Sequence, residues 1–175
     1  IQLRLVGGAD LRASGAREIR SILTQPKRIA MLAYLALGSK TRWHSRDTLL
    51  AMFWPELDRE RARTALRKAV HGLRASLGKD AVINQGDGRI GLAHNLVWCD
   101  AIAFEETLAA SDPAEALGLY RGDLLAGFHI NGSPDFERWI DSERDRLRNL
   151  ACAAALGLSE QESRRGELRR ALFWA

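Results

Sequence analysis

Asp58-Arg59-Glu60-Arg61-Ala62-Arg63-Thr64-Ala65-Leu66-Arg67-Lys68-Ala69-Val70-His71-Gly72-Leu73-Arg74-Ala75-Ser76-Leu77, closed by Gly78, is the stretch whose pattern decides how the chain is organised. Leu66, Val70, Leu73 and Leu77 recur at spacings of four, three and four, the inner stripe of a long amphipathic helix. Asp58 is suited to cap its start and Gly78 to end it. The segment carries six positive side chains (Arg59, Arg61, Arg63, Arg67, Lys68, Arg74) and two negative ones (Asp58, Glu60), a net of +4. The whole 175-residue chain is also +4, so everything outside this helix sums to zero and the basicity is local.

Upstream, residues 1–6 and about 9–12 read as short strands around the turn signal Gly7-Gly8, and Arg17 to Leu23 as a further strand. Thr24-Gln25-Pro26 starts a helix whose apolar face holds Ile29, Leu32, Ala33 and Ala36, with Gly38 as its stop. Ser45 caps a second helix, with Leu49, Leu50, Phe53 and Trp54 inward and Pro55 ending it. After the basic helix, residues 81–92 read as a β-hairpin around Gly86-Asp87-Gly88. Strands, three helices and a hairpin are the order of a winged helix-turn-helix, in which the third helix, about 58–77, enters the major groove and the hairpin is the wing.

The outward face then supplies candidate DNA contacts. Arg63, Thr64, Arg67 and Lys68, on the N-terminal half, are placed to approach base edges, whereas His71 and Arg74 suit the backbone. Ser45 and Arg46 could hold a phosphate through free helix N–H groups and charge, and Arg89 could reach an adjacent minor groove or its phosphates. A merely solvated face would mix signs at i,i+4. Residues 135–148 do mix them: Asp135, Glu137, Asp141, Glu143 and Asp145 alternate with Arg138, Arg144, Arg146 and Arg148 over an intact apolar stripe.

Beyond about residue 98 the texture is helical: Asp100 to Ala110, a restart at Asp112-Pro113, and a long helix with Phe136, Trp139, Ile140, Leu147, Leu150 and Ala154 inward. A further helix, about Glu160 to Trp174, completes the pattern of paired helices typical of helical repeats. The expected class is therefore mainly α with small β elements: a winged helix-turn-helix domain over 1–98, then a helical, TPR-like domain over 99–175. The pattern stops on a helix without a partner, so the second domain is expected to be truncated. The missing initiator Met leads us to expect residues upstream as well. With no polar linker between them, the halves are expected to pack together.

Several classes of chemistry find no support. No phosphate-binding Gly-x-x-x-x-Gly-Lys-Ser/Thr loop occurs, no Cys-x-x-Cys occurs, and His44, His71, His94 and His129 lack metal-ligand spacing. Catalytic residues, metals and cofactors are accordingly not expected, nor is a membrane span or signal peptide, which leaves a cytoplasmic protein. Cys99 and Cys152 read as reduced, buried thiols. Trp43, Trp54 and Trp98 read as core or interface residues.

Two stretches resemble a known family. Pro26-Lys27-Arg28 to Leu37, Ser45-Arg46-Asp47-Thr48-Leu49-Leu50 to Pro55, and Ala65-Leu66-Arg67 to Gly78 resemble the response-regulator-type winged helix. Ala116 to Phe128, then Phe136-Glu137-Arg138-Trp139 and Glu143 to Leu147, are similar to the start of the bacterial transcriptional activator domain. In this order they resemble SARP-type (antibiotic-regulatory-protein) transcriptional regulators. The resemblance implies promoter binding on direct repeats, often as a homodimer, with RNA polymerase or downstream domains as partners of the helical module. A rival reading makes the chain a protein-interaction module heading a larger regulator, with the helical half as partner surface.

Overall fold

A computed structural model describes residues 1–13, 18–39 and 41–175. The chain is mainly helical with two three-stranded sheets. In the first sheet β1 (Gln2–Arg4) lies between β2 (Asp10–Arg12), to which it is antiparallel, and β6 (Trp98–Cys99), to which it is parallel. The second sheet is antiparallel, ordered β3 (Trp43–Ser45), β5 (Arg89–Leu92), β4 (Val82–Gln85). The hairpin and the two N-terminal strands lie where the alternation placed them. β3 does not announce itself, because three residues are too few to show a period of two.

The expected strand from Arg17 to Leu23 is instead a bridge followed by a helical turn; Arg17 itself lies outside the described residues. Glu18 pairs with Arg12, and Arg20–Leu23 forms α1 with Ile22 buried. Thr24 closes the turn, its N–H and hydroxyl both donating to the Arg20 carbonyl at 3.0 Å. Helix α2 (Pro26–Leu37) follows with Pro26 in its first turn, where a missing N–H costs nothing. Helix α3 (Arg46–Phe53) starts at Ser45, whose Oγ accepts from the Thr48 N–H, and α4 (Arg59–Leu77) at Asp58, which accepts from the Arg61 N–H. Leu66, Val70, Leu73 and Leu77 are all buried, and Gly78, at φ +106°, turns the chain out of the helix.

The second half holds α5 (Asp100–Ala109), α6 (Pro113–Leu119), α7 (Pro134–Arg164) and α8 (Leu168–Trp174). The expected helix from Glu160 is corrected here: α7 runs unbroken through that point, and α8 begins only at Leu168. Gly157 lies inside α7, and an internal glycine weakens a helix by about 1 kcal/mol without breaking it. Gly166, at φ +80°, is the true stop. The buried stripe of α7 is Phe136, Ile140, Leu147, Ala151 and Leu158, so Leu150 is exposed and Ala154 only half-buried. Cys152, one residue past that stripe, is also exposed, against expectation. Cys99 is buried, and burial pushes its thiol up to about 12.

One continuous core runs from Leu3 to Ala151 across both halves. Polar groups stitch the same seam. The buried Asp100 carboxylate accepts from the Leu5, Val6 and Ala101 N–H groups at 2.8–3.1 Å, which offsets the cost of burying it. Leu125 N–H donates to the Leu5 carbonyl, and Gly7 N–H to that of Asp123. The loop carrying Asp123 and Leu125 is held by Arg144, whose guanidinium donates to the Leu124, Leu125 and Phe128 carbonyls. Phe136 of α7 packs on Phe53 of α3 at 5.5 Å between ring centroids, Trp139 on Tyr34 at 4.9 Å, and Ser133 Oγ donates to the Phe53 carbonyl. No helix among the described residues is long and apolar enough to cross a membrane.

Candidate nucleic-acid interface

The N-cap at Asp58 and the apolar stripe together fix which side of α4 faces out. Arg59, Glu60, Arg61, Arg63, Thr64, Arg67, Lys68 and His71 are all exposed. Along its first half, α4 forms one wall of a groove of about 730 Å³. Arg63, Thr64 and Arg67 line it from α4, Arg46 and Asp47 from the start of α3, and Asp87 and Gly88 from the hairpin turn. Four residues singled out from sequence therefore converge, although Arg46 is 17 or more positions from the others. Lys68 lies beside the groove, in a shallow hollow shared with Glu60, Arg61 and Thr64.

Arg67 is pre-oriented: its Nη2 donates to Thr64 Oγ1, one turn earlier, at 3.1 Å. Arg46 is fastened to the hairpin through two bonds. Its backbone N–H donates to the Gly88 carbonyl at 2.9 Å and its Nη2 to Asn84 Oδ1 at 3.3 Å. Its Nε is buried with no acceptor among the described residues, a donor that an anionic oxygen entering the groove would satisfy. Acidic groups are also present. Asp47 sits 3.9 Å from the Arg59 guanidinium, and Asp58 pairs with Arg61 at 3.2 Å, so those two arginines are partly neutralised.

Other sequence candidates occupy different positions. Ser45 spends its hydroxyl on capping α3 and on Thr48 Oγ1 at 2.7 Å, and the Arg46 N–H is taken by Gly88, so the free N–H groups expected there are largely engaged. Arg74 turns its Nε onto the Val82 carbonyl at 2.9 Å and braces the hairpin against α4. His71 is exposed farther along α4. Arg89 lies beyond the turn at the hairpin tip, opposite Ser45 in the β3–β5 register, with Gln85 as its neighbour. Sequence reasoning missed Asp47, Asp87 and Gly88 as groove residues. It also missed Arg28 of α2, whose guanidinium lies across Gly72, where a Cβ would meet its Cζ at 2.5 Å. The buried glycine in the middle of a helix was the available signal for that close approach.

No protein-family model and no curated protein matches this chain.

Proposed function

We propose that the chain binds duplex DNA sequence-specifically and regulates transcription, with α4 in the major groove and the hairpin β4–β5 as wing. The observation that carries this reading is the net +4 of Asp58–Leu77, α4 with its cap, whose exposed face joins the start of α3 and the hairpin turn in one groove. Arg67, steadied by Thr64, suits a guanine edge, while Arg63, Lys68, Arg46 and Arg89 suit phosphates. Residues 1–98 would form the winged helix-turn-helix part and 99–175 a TPR-like activator module, in the order of SARP-type regulators. That resemblance adds dimeric binding to direct repeats, contact with RNA polymerase or downstream domains, and a cytoplasmic setting. The reading assigns no catalytic role and no cofactor.

A second reading, the helical half as a partner-binding surface, is favoured by Leu168, Leu172 and Phe173 on α8, which are 67%, 77% and 76% exposed.

Fluorescence anisotropy on a random-sequence duplex from about 50 to about 200 mM salt tests the first reading. Four cations on phosphates would give a slope of about −3.6 in log affinity against log salt, a loss of about 150-fold over that range. Arg67→Ala with Lys68→Ala removes one of them, Lys68, together with the base-reading Arg67, and the slope is expected at about −2.7. An unaltered slope in the folded double variant would remove α4 from the interface.

A further inference from the structure

A second cavity, of about 670 Å³, opens between the two halves, where the C-terminal end of α2, Arg42 and His94 face α5 and α7. Its size is that of a small-molecule site. Leu37, Ile102, Trp139 and Leu150 give it apolar surface. Two of its carboxylates are already engaged, because Arg146 bonds both oxygens of Glu105 at 2.8 Å and Glu143 at 2.7 Å. Three polar groups are not. Among the described residues neither Arg42 nor Glu106 has an ion-pair partner, and His94 Nε2 is buried without a hydrogen bond.

Arg42 is held where it is by its backbone. Its φ of +65° is the left-handed region, costly for a residue with a Cβ, and its N–H donates to the Ser39 carbonyl at 3.1 Å. Gly91 gives it room, since a Cβ there would lie 2.7 Å from the Arg42 carbonyl oxygen. Arg42 and Glu106 both act on the imidazole of His94, in opposite directions, so the cleft offers around it one cation and one anion without an ion-pair partner among the described residues. Burial, the larger influence, lowers the pKa of that imidazole below its ordinary value.

We infer that this cleft binds a small zwitterion with an apolar body, the class of the free apolar α-amino acids. The carboxylate sits between Arg42 and His94 Nε2, the ammonium at Glu106, and the apolar chain against Trp139, Ile102, Leu37 and Leu150. A simple anion would meet Glu106 unpaired and a simple cation would meet Arg42 unpaired, so only a ligand bearing both charges uses the cleft fully. Because each half supplies one wall, such a ligand binds only while the two are packed together and stabilises that packing by mass action. The site is independent of DNA binding, and either can fail without the other.

The test titrates L-leucine and L-phenylalanine into the full chain, up to about 10 mM, reading tryptophan fluorescence and melting temperature. Saturable binding of at least one, with a raised melting temperature, is expected. For leucine, 4-methylpentanoate (no ammonium) and isoamylamine (no carboxylate) should bind about tenfold or more weaker, as should leucine itself to Glu106→Gln or Arg42→Gln. Glu106 is exposed, so its substitution leaves the fold intact and reports on the site alone. No saturable change with either amino acid overturns the inference. Equal affinity of a single-charge analogue, or undiminished binding in both variants, overturns it as well.

Discussion

Phe136→Ala asks whether the seam makes the two halves one cooperative unit. The ring is fully buried and packs on Phe53, Trp139 and Phe128 at centroid distances of 5.5, 5.5 and 6.4 Å. Truncating such a ring costs about 3–5 kcal/mol, a large part of the roughly 5–15 kcal/mol that holds a domain folded. Phe136 lies in the first turn of α7, whereas the hairpin amides of β4 and β5 belong to the other half of the chain. If the continuous core unfolds as a unit, those amides exchange through global opening. Their protection should then drop by the same free energy, between about a hundredfold and a few thousandfold. Native-state hydrogen exchange on wild type and variant measures this directly. Hairpin protection that stays at its wild-type level while α7 loses its own would refute the single unit and leave the aromatic contact as a local docking.

Three further outcomes follow from particular groups. Burial lowers the pKa of His44 and of His94 below the ordinary 6.5, so protonating either one opposes the fold. Stability is therefore complete above about pH 6.5 and is lost as pH falls below it, because the unfolded chain takes up the protons first. Melting temperatures at about pH 7.5 and 5.5 check this, and His44→Gln should flatten the difference. Asp100→Asn keeps one oxygen for the Leu5 and Ala101 donors but sets an amide N–H₂ against the Val6 N–H, and should cost about 1–3 kcal/mol in urea denaturation. Asp58→Ala removes the α4 N-cap and should cost about 1 kcal/mol, or a melting point lower by about 2–4 °C by calorimetry.

Long amphipathic periods were the most legible part of this chain. Leu66, Val70, Leu73 and Leu77 are buried as their spacing required, and the caps at Ser45 and Asp58 stand where residue type placed them. Short elements were not legible, since β3 and α1 are three and four residues long and take their form from partners distant in sequence. Gly157 and Gly166 look alike in a sequence, yet only Gly166 ends a helix, because φ depends on what the following chain packs against. Trp98, read as a core or interface residue, is 41% exposed, as the outward member of a two-residue strand. At the candidate interface the charges of α4 were evident from composition alone. The bond from Arg74 to the Val82 carbonyl was not legible, because that pairing depends on tertiary register, whereas the bond of Ser45 to Thr48 is the local cap that residue type indicates.

The placement of β1 bears on the order of synthesis. Leu3 and Leu5 leave the ribosome well before part of what covers them: β6 and Asp100 follow about 95 residues on, and Leu125 about 120 residues on. At roughly 5–20 residues per second the first strand waits about 6 to 24 s for that last partner. During that interval its apolar side chains are open to whatever holdase or neighbouring nascent chain reaches them first. The basic helix is already complete by then, so a growing chain would carry its charge before it has a finished core.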